Sequence, residues 1–365
     1  MELSTTTPER HPARCHTFIS LKEFLSVAKP LPAWKKGLGI SLALSITAAL
    51  FVFFRNFNED TLESLLTVRV EYLLIAVFMV FFLWIIEGLR IRLLVSTLSN
   101  HKSISLFDAM QIYLLTFFFA SVTPLAAGEW PAHIYALNRQ GLSLGESSAV
   151  TVTRSFLTRF LFTVTAISFL IIFRGRLVPT FLNRVFLYAV FVSVFTLLGL
   201  LFLLWKPMFL EWILQKIGSL AGGKYLFGKN SKGQKIYWRL GQEFQEFLHT
   251  TRALNRFKIG NLIIISLLTF TFWLCFFSIA PVILLGLNKP VPYLQSLVWQ
   301  IVIQMIIVYI PVPGGSGVAE LSLASLFVYF VPPSVLGIFV MVWRFFTYYI
   351  LLFFGGLIAL TVLKP

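Results

Sequence analysis

The sequence predicts an all-α, polytopic membrane protein, on three observations. Of 365 residues, 58% are hydrophobic and 12% charged, with mean hydropathy +0.84 and 39 Phe; soluble domains carry roughly 25% charged residues. Apolar runs of the roughly 20 residues needed to cross a bilayer recur along the chain. Finally, two apolar stretches break in the same way: SVTPLAAGEW, residues 121–130, and YIPVPGGSGVAEL, residues 309–321, each place Pro, Gly and one Glu inside a would-be span. Backbone left unpaired by such breaks must be sheltered from lipid, where an unsatisfied N–H or C=O costs several kcal/mol.

In chain order, residues 1–36 form a polar N-terminal tail opening MELSTTTPERHPARCH, in which no cleavable signal peptide is expected. Full spans are expected near 37–54, 71–95, 149–173, 184–205, 260–286 and 334–363, making six within one membrane domain, 37–363. The stretches 107–137 and 291–331 hold the breaks in their middles, so each reads as two half-length helices. Residues 206–258 are the one sizeable polar region. There Ile236, Leu240, Phe244, Phe247, Leu248 and Leu254 recur at helical spacing with the charges largely on other faces, as in a basic amphipathic helix on the cytoplasmic leaflet.

Charge fixes how the broken stretches sit. The 206–258 loop carries ten Lys and Arg. If 107–137 crossed fully, that loop would lie opposite the side holding Arg90, Arg92 and Lys102, against the positive-inside bias. If both broken stretches are re-entrant hairpins, Lys22, Lys29, Lys35, Lys36, the 88–108 loop, Arg139 and the 206–258 loop share the cytoplasm, with Arg174, Arg176 and Arg184 as the exception outside. Both termini are then cytoplasmic, in what is expected to be a bacterial inner membrane.

The breaks also belong to matching neighbourhoods. Trp84 precedes Pro124 by 40 residues and Trp273 precedes Pro313 by 40; Arg154 and Arg344 follow those prolines by 30 and 31, in the strings VTRSFLT and VWRFFTY. This predicts a repeat, about 71–173 and 260–363, inverted because Trp84 and Trp273 would lie on spans running in opposite directions. Glu129 and Glu320 would then approach one another near mid-membrane, where inverted-repeat transporters hold their substrate. Chance likeness between Phe-rich apolar segments is the alternative.

Candidate site residues follow from cost. Arg154, Arg159 and Arg344 lie in apolar spans, where a central Arg costs roughly 2.5–3.5 kcal/mol, so each needs a partner or a cavity. Guanidinium forks suit phosphate, and half-helix N-termini after Pro124 and Pro313 would offer N–H groups to the same anion. Two alternatives stay open: ligand contact, or a structural lock with Glu129 or Glu320. Those carboxylates would cap the following half-helix or take up a proton. Gly128, Gly314, Gly315, Ser316 and Gly317 would allow tight turns with backbone close to a ligand. Glu87 reads as a local ion pair with Arg90, with a functional role as the alternative, and His133 as an interfacial polar residue, with a proton or headgroup contact as the alternative. No HExxH motif or spaced set of metal ligands occurs, and Cys15 and Cys275 are too dissimilar to pair. A net charge of +15 divided among loops fits topology and anionic headgroups rather than nucleic acid. Neither a cofactor nor an enzymatic role is expected.

At the two breaks, the P-x-x-x-G-E of TPLAAGE and the string VPGGSGVAE, the chain resembles the lysylphosphatidylglycerol synthase transmembrane-region family over roughly residues 35–363. The resemblance implies a flippase-like integral membrane protein handling a lipid, and carries over Pro124, Gly128, Glu129, Pro313, Gly314, Gly315, Gly317 and Glu320, with Arg154 and Arg344 by position. Relatives often place an Arg soon after the first GE, whereas this chain has Ala132 and His133 there. Nothing in the sequence resembles the soluble aminoacyl-transfer domain of the full-length synthase, so lysyl transfer is not expected. The expected function is translocation of an anionic phospholipid or polyprenyl-linked glycolipid, with a lipid-modifying enzyme or a second copy of the chain as further partner. Rival readings are an accessory subunit for a membrane glycosyltransferase and a proton-coupled small-anion transporter.

Overall fold

The computed structural model describes residues 34–99, 103–173, 183–205, 250, 259–289 and 292–362; the expected N-terminal tail up to residue 33 and nearly all of the 206–258 amphipathic loop lie outside them. The described residues are helical, without strands. Helices Trp34–Asn56 (α1), Val70–Leu98 (α3), Leu144–Phe173 (α6), Ile259–Gly286 (α8) and the continuous stretch Pro333–Val362 contain segments long and apolar enough to cross a membrane. A further apolar helix, Asn183–Trp205, is α7. Large apolar side chains such as Phe78 and Phe195, each 72% exposed, face outward, as an apolar solvent permits.

Small residues set how α1 packs. Gly37, Ser41, Ser45, Ala48, Ala49 and Val52 recur at helical spacing on its buried face, which lets backbones approach closely. A Cβ on Gly37 would sit 1.9 Å from the Val122 carbonyl oxygen. A short helix that the sequence reading did not anticipate, Glu59–Leu66 (α2), follows. It is capped reciprocally, with Thr61 Oγ1 donating to Asn58 Oδ1 at 2.9 Å and accepting from Asn58 N at 3.0 Å, and its first turn carries Glu59 and Asp60, which favour the dipole.

Each broken stretch is two short helices around a break. The first comprises Leu106–Val122 (α4) and Glu129–Arg139 (α5); the second comprises Tyr293–Ile307 (α9) and Val318–Phe327 (α10). All four fall short of the roughly 20 residues a span requires. Ser105 starts α4 by accepting from Asp108 N at 3.0 Å. The last stretch runs as Pro333–Arg344 (α11), a π-turn Phe345–Tyr349 and Ile350–Val362 (α12). Element order therefore matches in the two halves: long helix, broken pair, long helix. The halves interlock, since α3 runs along α8, α12 along α4, and α1 along α11. Trp84 packs edge-on against Phe354 at 5.2 Å, and Trp273 lies tilted against Phe162 at 4.6 Å, so each tryptophan rests on the final helix of the other half.

Inside α8, Pro281 removes the N–H that would bond the Phe277 carbonyl. Buried Gln300 on α9 donates its Nε2 to that carbonyl at 2.7 Å, so the second broken pair repairs the defect in its neighbour.

Candidate functional site

The two breaks share a left-handed turn after the proline and then diverge, Gly128 taking φ of −78° where Gly317 takes 84°. After Pro124, Leu125 and Ala126 take φ of 55° and 52°; after Pro313, Gly314 and Gly315 take 61° and 60°. Glycine adopts this left-handed conformation without penalty, whereas Leu125 and Ala126 each carry about 1–2 kcal/mol of strain. The first turn is closed by Thr123, whose Oγ1 donates to Phe119 O at 2.7 Å and accepts from Gly128 N at 2.8 Å, pairing groups that the ends of α4 and α5 leave free. Gly128 is required sterically, because a Cβ there would lie 2.6 Å from Phe119 O.

The breaks pack against one another. Tyr348 of the π-turn donates to Ser121 O at 3.4 Å, and a Cβ on Gly314 would lie 2.4 Å from the Tyr348 hydroxyl and 2.9 Å from Ser121 O. Behind each break sits an Arg–Glu pair, and their surroundings differ. In the second half, Glu320 is fully buried and Arg344 almost so, with Arg344 Nε 2.8 Å from Glu320 Oε1. Glu320 accepts from Ser45 Oγ and, at 2.8 Å, from Gly317 N. Arg344 donates to Ser45 Oγ at 3.2 Å, Gly314 O at 3.2 Å and Ser316 Oγ at 3.3 Å, with its guanidinium 3.7 Å above the Tyr348 ring. Ser41 of α1 hydrogen-bonds both Ser316 and Tyr348.

In the first half, Arg154 donates Nε to Glu87 Oε1 at 2.7 Å and Nη1 to Glu129 Oε1 at 3.1 Å. Arg90 Nη1 lies 3.1 Å from Glu87 Oε2, an ion pair without hydrogen-bond alignment, and Nη2 donates to Thr158 Oγ1 at 3.1 Å. Glu87 therefore joins two arginines, where the local pair with Arg90 was the expected arrangement. His133 is fully buried within the protein, its Nδ1 hydrogen-bonded to Thr151 Oγ1 at 2.7 Å.

Two cavities adjoin this cluster. The larger, about 760 Å³, is lined by Glu87, Arg90, Glu129, Arg154 and Arg159 along with apolar walls from Phe162, Phe195 and Trp273. Arg159 lies 5.5 Å over the Tyr309 ring. The smaller, about 210 Å³, lies between the breaks and is lined by Ala126, Val312, Gly314, Gly315 and Arg344. Glu129, Arg154, Gln304 and Val308 line both. A volume of several hundred Å³ with apolar walls and a few convergent charges is what a small-molecule or headgroup site needs.

The chain also matches known proteins over a span that includes both breaks and their arginines. A family model described as the lysylphosphatidylglycerol synthase TM region matches residues 38–355. The chain belongs to that family. It is also 28% identical over 323 residues to a protein of Archaeoglobus fulgidus named a UPF0104 membrane protein, covering 88% of this chain and 94% of the relative. No solved structure matches. Membership establishes an integral, multi-pass membrane protein of a family linked to phospholipid handling.

Among the predicted residues, Gly128, Glu129 and Arg154 gather at the first break, and Pro313, Gly314, Gly315, Ser316, Gly317, Glu320 and Arg344 at the second, while Pro124 starts the first turn and Arg159 lies further along the large cavity. Sequence reading missed Ser41, Ser45, Tyr348 and Gln304. The i, i+4 serines within the apolar middle of α1 were the visible signal for the first two.

Proposed function

We propose that the protein moves an anionic phospholipid or polyprenyl-phosphate lipid between leaflets, as a transporter and not an enzyme. The headgroup would enter the 760 Å³ cavity while the acyl or prenyl chains stay in the bilayer. The observation that carries this reading is the large cavity itself, lined by three arginines against two glutamates among apolar side chains, and bordering the meeting point of two breaks. The matching element order of the halves supports re-entrant hairpins in an inverted repeat, and the charge distribution supports cytoplasmic termini.

The test is reconstitution into liposomes with fluorescently labelled phosphatidylglycerol, followed by quenching from outside. The protein should equilibrate the lipid across leaflets above protein-free controls. Because one charge crossing 100 mV changes energy by about 2.3 kcal/mol, uncompensated movement of a monoanion should respond to an imposed potential. No movement of any anionic lipid, with or without potential, would overturn this reading in favour of an accessory subunit.

A further inference from the structure

The two Arg–Glu pairs occupy matching places in the halves but are built unequally. Glu320 and Arg344 are closed in: the carboxylate accepts from Ser45 and Gly317 as well as facing Arg344, and the guanidinium also holds Gly314 and Ser316 of the break. Freeing either would dismantle the loop around them. In the first half only part of the cluster is closed. Glu87 is 1% exposed and lies within 3.1 Å of both Arg90 and Arg154, so two guanidiniums share one fixed carboxylate. The remaining positive charge is met by Glu129 through a single contact of 3.1 Å, and Glu129 is 34% exposed. That contact sits on the boundary between the two cavities, since Glu129 and Arg154 line both.

We propose that Glu129 is an exchangeable counter-ion, which a phosphate oxyanion entering from the large cavity replaces on Arg154 Nη1, while Glu320 stays bound to Arg344. The proposal rests on the transport reading and names its working side chain. Exchange keeps the cluster neutral: Glu87 continues to hold Arg154 in place, and one anion is swapped for another on the same donor. A buried guanidinium left without any anion would be strongly unfavourable, so the incoming phosphate and the departing carboxylate are coupled. Once displaced, Glu129 leaves Arg154 in the lining that the large cavity shares with the smaller one, where Gly314, Gly315 and Arg344 also form the wall.

Calorimetric titration of the full chain in mild detergent tests this, with dihexanoyl phosphatidylglycerol and inorganic phosphate as separate probes. Glu129→Gln removes the competing charge and should tighten phosphatidylglycerol binding about fivefold, the upper range for a partly exposed ion pair. Glu129→Asp, which keeps the charge on a shorter arm, should fall between Gln and wild type and serves if the Gln variant does not fold. Arg154→Gln should abolish binding. Wild type that binds neither probe overturns the transport reading along with this one. Wild type that binds, with both Glu129 variants no tighter, overturns the exchange alone. A gain for inorganic phosphate with none for the lipid would overturn the lipid as the source of the oxyanion.

Discussion

At the scale of single residues, the same left-handed turn is occupied by unlike side chains in the two halves. Leu125 and Ala126 hold the left-handed turn that Gly314 and Gly315 hold in the other half. Leu125→Gly or Ala126→Gly should therefore raise the thermal midpoint in detergent or leave it unchanged, since relief of about 1 kcal/mol of strain opposes the added freedom of glycine in the unfolded chain. A clear drop at both positions would show that their side chains matter more than their φ angles. Gly314→Ala should lower the midpoint, because its Cβ would meet both Tyr348 and Ser121 at a positive φ. The closed pair gives a second expectation. Glu320→Gln alone strands a buried guanidinium, a loss of about 3–5 kcal/mol, and should prevent folded accumulation, whereas Glu320→Gln combined with Arg344→Gln should recover part of it. Equal yields for single and double variants would remove the electrostatic explanation. The Arg and Glu residues were legible in the sequence because charges in apolar runs demand an explanation. Their inequality was not, because it depends on Ser41 and Ser45 of α1, which lie 275 to 307 residues from Glu320, Arg344 and Tyr348 in the chain.

At the scale of elements, the sequence showed where the broken stretches lie, since Pro and Gly at 121–130 and 309–321 interrupt otherwise apolar runs. It did not show α2, whose eight residues are too short and mixed to leave a periodic signal, nor the repair of Pro281 by Gln300, which bonds the Phe277 carbonyl 23 residues earlier on the neighbouring helix. Membrane sidedness remains a prediction at this scale. If both broken pairs are re-entrant, Cys placed at exposed Ser103 and Gln140, on either side of α4 and α5, should be labelled by an impermeant maleimide from the same side as Lys229→Cys. Cys placed at Lys289 and Val328, flanking α9 and α10, should be labelled from the other side. Labelling of 103 and 140 from opposite sides would mean that the first pair crosses the membrane.

At the scale of the whole molecule, a few glycines fix how closely the outer helices approach α4. A Cβ on Gly37 would lie 1.9 Å from Val122 O and one on Gly355 2.4 Å from Leu114 O, both backbone atoms that cannot swing aside. Gly37→Leu and Gly355→Leu should each abolish the monodisperse peak in size-exclusion chromatography. Gly39→Leu and Gly199→Leu, whose Cβ atoms would meet nothing within 4 Å, should leave it intact. Indistinguishable profiles for the four would mean that close approach does not limit assembly. The all-helical membrane architecture was readable from composition and run length, but these contacts were not, since glycine in a span is silent until its neighbour is known. The reciprocal tryptophans have a consequence of a different kind. Because Trp84 rests on the last helix of the second half and Trp273 on the last helix of the first, and α3 lies along α8, the halves meet as two subunits would. The gene should therefore tolerate being cut in two. Residues 1–230 and 231–365, translated as separate polypeptides in one cell, should find each other in the bilayer and co-purify, while either fragment alone leaves its tryptophan without a seat.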